Sequence, residues 1–190
     1  MADKIVFDIE TKDSFDDVGG QENLRQLSLS VVALYSYNQD KYFCFNEFEL
    51  AEAEKIFKTA GLLIGFSSKR FDVPILGKYF QSFSLAALPH YDILEEVEKS
   101  FGRRVGLNAI AEANVGMAKT SHGLEAIEMY RNGEIEKLKE YCIQDVKITK
   151  EIFDLIRKQG YLWIPQRNLP QMFKAGISYE EEKFEQTKLL

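Results

Sequence analysis

Apolar positions between residues 4 and 11 recur at every second residue. Ile5, Phe7 and Ile9 alternate with Val6, Asp8 and Glu10, the period of a β-strand. Residues 11–26 are polar and hold Asp16-Asp17 and Gly19-Gly20, which reads as a long connection. The pattern turns apolar over 27–35, breaks at Asn38-Gln39-Asp40 and resumes over 41–45, predicting an antiparallel meander that begins with the acidic strand. Spacing then changes to three and four over 47–60. Phe48, Leu50, Ala53, Ile56 and Phe57 form the apolar side of a helix, with Asn46 as cap and Gly61 as stop. The continuous apolar run over 62–66 predicts a strand covered on both faces.

Asp72-Val73-Pro74 opens a helix predicted to run to about Phe80, with proline tolerated in its first turn. Residues 88–94 predict a short strand running into a helix. Helical spacing continues in Leu94, Val97 and Phe101, in Leu107, Ile110 and Ala111, and in Leu124, Ile127 and Met129-Tyr130. A long helix is predicted over 134–158, with Leu138, Tyr141, Asp145, Ile148, Ile152 and Leu155 in one stripe and Gly160 as its stop. Residues 161–164 predict a final strand, with Trp163 in the core, and the charged tail from Gly176 an extension, helical if regular. Strands first, then alternation with helices, then a helical run indicate an α/β fold with one mixed sheet flanked by helices. The division expected is one domain over 1–166 and a C-terminal extension over 167–190.

Composition narrows the class. A chain of 190 residues with 45% hydrophobic and 13% aromatic residues builds a sizeable globular core. No apolar run reaches membrane-spanning length. Met1-Ala2-Asp3-Lys4 enters the first strand at once, which leaves no room for a signal peptide, so a cytoplasmic location is expected. Cys44 and Cys142 are too few for a disulfide framework or a zinc site. A net charge of -6 excludes a broad nucleic-acid-coating surface but not an enzyme that grips a few phosphates through metal ions.

Three acidic anomalies carry chemistry. Asp8 and Glu10 lie two apart on a strand and therefore share a face, where their charges repel and lose hydration unless a cation joins them. That predicts a hard-metal site with oxygen ligands, Mg²⁺ or Mn²⁺; a strand end open to water is the alternative. Asp145 interrupts the apolar stripe of the long helix, and Tyr141 lies one turn before it, within reach of the same space; a half-buried face is the alternative there. Asp72 follows the buried strand and serves as a helix cap, a metal ligand or both. Asp92 has the same two readings, with capping or structural hydrogen bonding favoured.

Phe7-Asp8-Ile9-Glu10-Thr11, Gly65-Phe66-Ser67-Ser68-Lys69-Arg70-Phe71-Asp72 and Tyr141-Cys142-Ile143-Gln144-Asp145 resemble, in order, the three exonuclease motifs of the DEDD superfamily. A histidine form of the third motif would need His where Glu140 stands, so the resemblance is to the tyrosine subclass. The chain is similar to the proofreading exonuclease domain of family B DNA polymerases and to stand-alone ribonuclease H-like exonucleases.

The resemblance implies a ribonuclease H-like sheet, an antiparallel meander followed by parallel strands. It implies 3′→5′ exonucleolysis of single-stranded DNA or RNA at 3′ ends by a two-metal-ion mechanism. Asp8, Glu10, Asp72 and Asp145 would be the ligands of two divalent cations, and Tyr141 would orient or help deprotonate the attacking water. Ser67 stands where the second motif usually carries Asn, a residue that positions the substrate strand. Thr11, Ser67, Phe71, Arg103 and Arg104 are the candidate substrate contacts. Phe66 and Phe71 could stack on a terminal base or pack in the core, and Lys69, Arg70 and Lys119 are further basic residues near the motifs. His90 and His122 lack partners at metal-ligand spacing. A second reading is a nucleic-acid-binding or scaffolding domain with little catalysis, in a repair or helicase assembly. A third is a structure-specific nuclease serving such an assembly. No Walker A loop is present, so a helicase or polymerase partner would be a separate chain.

Overall fold

The alternation along the first strand separates two cores. In the computed structural model, which describes residues 2–117, 123–167 and 169–181, β1 spans Asp3–Thr11. Ile5, Phe7 and Ile9 enter one core, while Val6 enters the other together with residues of the C-terminal helix. Asp8 and Glu10 share the face of Val6, as a period of two requires.

β1 is central in a five-stranded sheet of order β3-β2-β1-β4-β5. β2 (Leu29–Ser36) and β3 (Lys41–Asn46) extend it on one side as an antiparallel meander. β4 (Ala60–Gly65) and β5 (His90–Asp92) extend it on the other side as parallel strands. Every residue of β4 is buried, which accounts for its unbroken apolar run.

α1 (Leu50–Phe57) and α2 (Asp72–Leu76) cover the Phe7 face. There Phe57 meets Phe7 edge-on at 5.4 Å, a fully buried pair that contributes about 1.5–3 kcal/mol per ring. α3 (Ile93–Phe101), α4 (Leu107–Val115), α5 (Gly123–Arg131) and α6 (Ile135–Gln159) make up the helices of the other side. β6 (Tyr161–Ile164) pairs antiparallel with β7 (Phe173–Gly176) in a separate two-stranded sheet.

Several elements differ from the periodicity. The helix expected over 47–60 starts only at Leu50, because Asn46 Oδ1 is taken by Phe48 N in a local turn. Phe48 is consequently 88% exposed rather than core, and Gly61 belongs to β4. α2 has five residues instead of running to Phe80. Lys78 Nζ donates to the carbonyls of Arg25 and Leu27, and Tyr79 Oη accepts from Leu29 N, so the chain after Gly77 is tied to the 25–29 segment. The 11–26 connection holds a 3-10 turn over Gln21–Gln26. Trp163 is 38% exposed, not core, because Leu162 and Ile164 take the inward positions of β6.

Beyond residue 166 the chain packs back. Ile177 is buried, Tyr179 stacks edge-on against Tyr91 and Phe153, and Glu181 pairs with Lys4. Residues 177–180 carry no regular element and Glu181 is helical; the rest of the tail lies outside the described residues. Lys119 and His122 lie outside the described residues.

Candidate active site

A cavity of about 580 Å³ opens where β1, the loop after β4 and α6 converge. Asp8, Glu10, Asp72, Tyr141 and Asp145 all line it. Asp8 and Glu10 reach it from the α6 side of β1, facing the small Ala33 and Val31 across the antiparallel register. Immediately after Glu10 the pairing with β2 shifts at a β-bulge, which ends the regular strand at the site. Thr11 is buried there and its hydroxyl donates to Asp13 O at 2.8 Å.

Asp72 is the first residue of α2 and only 3% exposed. The N-cap position belongs to Phe71, and Asp72 Oδ1 accepts from Ile9 N at 3.1 Å, which fastens the loop after β4 between Asp8 and Glu10. Asp145 is 2% exposed on the inner face of α6, with Tyr141 half-buried one turn before it. Cys142, in the same segment, sits against Asp8, its Sγ 3.5 Å from Asp8 O. Asp8, Glu10 and Cys142 each offer a donor atom within 4.8 Å of the others. Burial, a hydrogen bond with Cys44 and then the charges of Asp8 and Glu10 push the Cys142 thiol well above its ordinary range. The carboxylates of Asp8 and Glu10 are the hard oxygen donors of this cluster, the type a hard cation prefers over sulfur.

Six carboxylates line the cavity: Asp13 and Asp16 from the connection join Asp8, Glu10, Asp72 and Asp145. Among its described lining residues there is no lysine or arginine. Carboxylates gathered at this density, two of them almost fully buried, need compensating positive charge to remain ionised together. The donor set therefore fits divalent cations with oxygen coordination.

The second-motif loop is built around Asp92. Gly65 lets the chain turn, since a Cβ there would lie 2.4 Å from Ser68 Oγ. Ser67 then adopts φ 63°, a left-handed conformation that costs a non-glycine residue about 1–2 kcal/mol. Asp92 holds it: Oδ1 accepts from Ser67 N at 2.9 Å and Oδ2 from Lys69 N at 3.1 Å. The same carboxylate caps α3 through Leu94 N and Glu95 N. Ser67 Oγ accepts from Arg104 Nη2 at 2.9 Å, which holds a cation beside the cavity rim.

Residues 5–157 match the family model of the RNase H superfamily. The chain belongs to that superfamily. No curated protein matches it. Among solved structures this superfamily member is similar to the family B DNA polymerase from the hyperthermophilic archaeon Pyrobaculum calidifontis, at 15% identity with a TM-score of 0.63. That likeness covers 82% of this chain and 24% of the polymerase, so this chain spans about a quarter of the polymerase's length. At this identity the likeness is one of fold.

The sheet order and strand directions are those expected for an RNase H-like α/β fold. Of the candidate substrate contacts, Thr11, Ser67 and Phe71 line the cavity, and Phe71 packs edge-on against Phe15, which also lines it. Phe66 lines it as well. Neither arginine is among the lining residues: Arg104 pairs with Glu98 and donates to the lining Ser67, and Arg103 lies over the Phe101 ring. Leu124, placed by its spacing on the apolar side of a helix, is 67% exposed and lines the cavity beside Ile127. Asp13 and Asp16 were legible only as polar residues of a connection. Among the described residues no helix is long and apolar enough to cross a membrane.

Proposed function

We propose that this RNase H superfamily chain is a metal-dependent 3′→5′ exonuclease of the tyrosine subclass. Its substrates are the 3′ ends of single-stranded DNA or RNA. The observation that carries the reading is the meeting of Asp8, Glu10, Asp72, Asp145 and Tyr141 in one cavity. The four acids would hold two divalent ions, Mg²⁺ or Mn²⁺. When bound, these supply charge neutralisation at the scissile phosphate and a water of lowered pKa.

The chain's own residues do the rest. The Asp72–Ile9 hydrogen bond keeps the carboxylates of strand and loop in fixed relation. Tyr141, one turn from Asp145 on the rigid α6, orients the attacking water through its hydroxyl. Phe71, braced by Phe15, offers an aromatic face to the terminal base. Thr11 and Ser67 line the path of the strand, and Arg104 contributes charge at its rim. Residues 1–166 form the nuclease domain in this reading and 167–190 its extension. The protein acts in the cytoplasm, and a polymerase or helicase partner would be a separate chain.

The Ser67–Arg104 bond in place of an asparagine amide favours a second reading, a nucleic-acid-binding or scaffolding domain with weak catalysis. Digestion of 5′-labelled single-stranded DNA and RNA with Mg²⁺ or Mn²⁺ separates the two, with EDTA and Asp72→Ala as controls. A ladder shortening from the 3′ end, lost in both controls, supports the exonuclease. Binding without cleavage by folded, metal-loaded protein transfers the conclusion to the scaffold.

A further inference from the structure

The geometry points to a second, basic subsite behind the loop that carries Asp72: a groove for phosphates of the nucleic-acid strand leading into the acidic cavity, with Arg25 as its uncommitted cation. This inference rests on the exonuclease reading.

A second cavity, of about 360 Å³, is lined by Arg25, Lys69 and Lys78, with Ser84, Val73 and Pro74 among its other walls. Among its described lining residues there is no carboxylate. Its charge is thus the reverse of the catalytic cavity's, in a chain whose net charge is -6. The two cavities are also neighbours through shared segments. Residues 67–74 turn Ser67, Phe71 and Asp72 to the acidic side and Lys69, Val73 and Pro74 to the basic side. Residues 25–27 do the same, with Leu27 on one side and Arg25 on the other. A strand whose 3′ end sits among the acids, and which leaves over either ridge, meets cations at once.

The three cations are held differently. Lys78 Nζ donates to Arg25 O at 2.8 Å and Leu27 O at 2.5 Å, which fixes the 3-10 turn against α2 while its charge stays at the groove. Lys69 pairs with Glu95 at 2.7 Å. The exposed Arg25 side chain makes no ion pair or hydrogen bond among the described residues, and its backbone is clamped by Lys78. A planar guanidinium on an anchored backbone, flanked by two ammonium groups, suits a phosphodiester, which it can grip through two parallel hydrogen bonds.

The test compares wild type with Arg25→Glu and Arg25→Lys. The probes are 5′-fluorescein oligo(dT) and oligo(rU), bound in Ca²⁺ over a salt series. The p-nitrophenyl ester of thymidine 5′-monophosphate serves as a substrate with no upstream phosphates. Arg25→Glu is expected to weaken oligonucleotide binding on the order of threefold or more. The slope of log affinity against log salt should become shallower by about 0.7 for the lost contact. Arg25→Lys should keep the wild-type salt slope, because the charge remains, but lose part of the affinity with the two-bond grip, and ester hydrolysis should stay unchanged in both variants. Wild-type binding and slope in Arg25→Glu, or equal losses on ester and oligonucleotide, would overturn the groove. If wild type hydrolyses neither substrate, the exonuclease reading fails. Binding then judges the groove alone: dependence on Arg25 supports it and independence overturns it.

Discussion

Replacing Asp92 should unfasten the catalytic loop before it touches any catalytic atom. The carboxylate is 2% exposed and accepts from Ser67 N, Leu94 N and Lys69 N within 3.1 Å, and from Glu95 N at 3.4 Å. Asp92→Ala strips all four donors. Loss of the α3 cap costs about 1 kcal/mol, and each loop N–H that loses a charged acceptor about 1.5–3 kcal/mol, less where water reaches it. The sum is roughly 4–7 kcal/mol at full burial, a large part of the 5–15 kcal/mol typical of a domain.

Asp92→Asn can keep an oxygen at the Oδ1 position, retaining Ser67, Leu94 and Glu95, but turns an amide N–H₂ toward Lys69 N. Its cost should be that of one charged hydrogen bond, about 2 kcal/mol. Urea unfolding followed by circular dichroism measures both. In the folded fraction, the activity proposed for this site should fall as well, because Ser67 leaves its left-handed conformation once its anchor is gone and the loop that leads to Asp72 loses its support. Should both variants lose less than ~1 kcal/mol, the loop would be held instead by its ion pairs to α3, Lys69–Glu95 and Arg70–Glu98, and Asp92 would be no hub.

Two further outcomes are expected. Tyr141→Phe should lower kcat about tenfold, the worth of one orienting hydrogen bond, while Mn²⁺ affinity in a titration stays at the wild-type value; an unaltered kcat removes Tyr141 from the mechanism. Stability should fall as pH rises above about 10. Burial, then a hydrogen bond to Asp40, pushes Tyr35 up to about 12. Burial is also the first cause raising Tyr37, which bonds Asp154, and Tyr91. In that window the unfolded chain loses phenolic protons that the native state keeps, so alkali drains stability. Urea midpoints between pH 8 and 11.5, read beside tyrosinate absorbance, check this, and a flat midpoint contradicts it.

Local pattern carried much of this architecture. A period of two in β1 dictated that Asp8 and Glu10 share a face, and spacings of three and four did the same for Tyr141 and Asp145. Those periods follow from backbone geometry alone and need no tertiary partner. Phe48 went otherwise because a local turn takes Asn46 Oδ1 and delays the helix, Gly61 because it pairs within β4, and α2 ends early because Lys78 and Tyr79 bond to the 25–29 segment rather than extend a helix. The site also depends on distance in sequence. Asp72 reaches Ile9 across 63 residues, and Arg104 reaches Ser67 across 37. Which acids meet, how Asp13 and Asp16 join them, and where Arg25 finds a basic groove are set by packing between segments that share no local period. The sequence could state which residues carry charge on which face of each element; only the tertiary structure could bring those faces to one cavity.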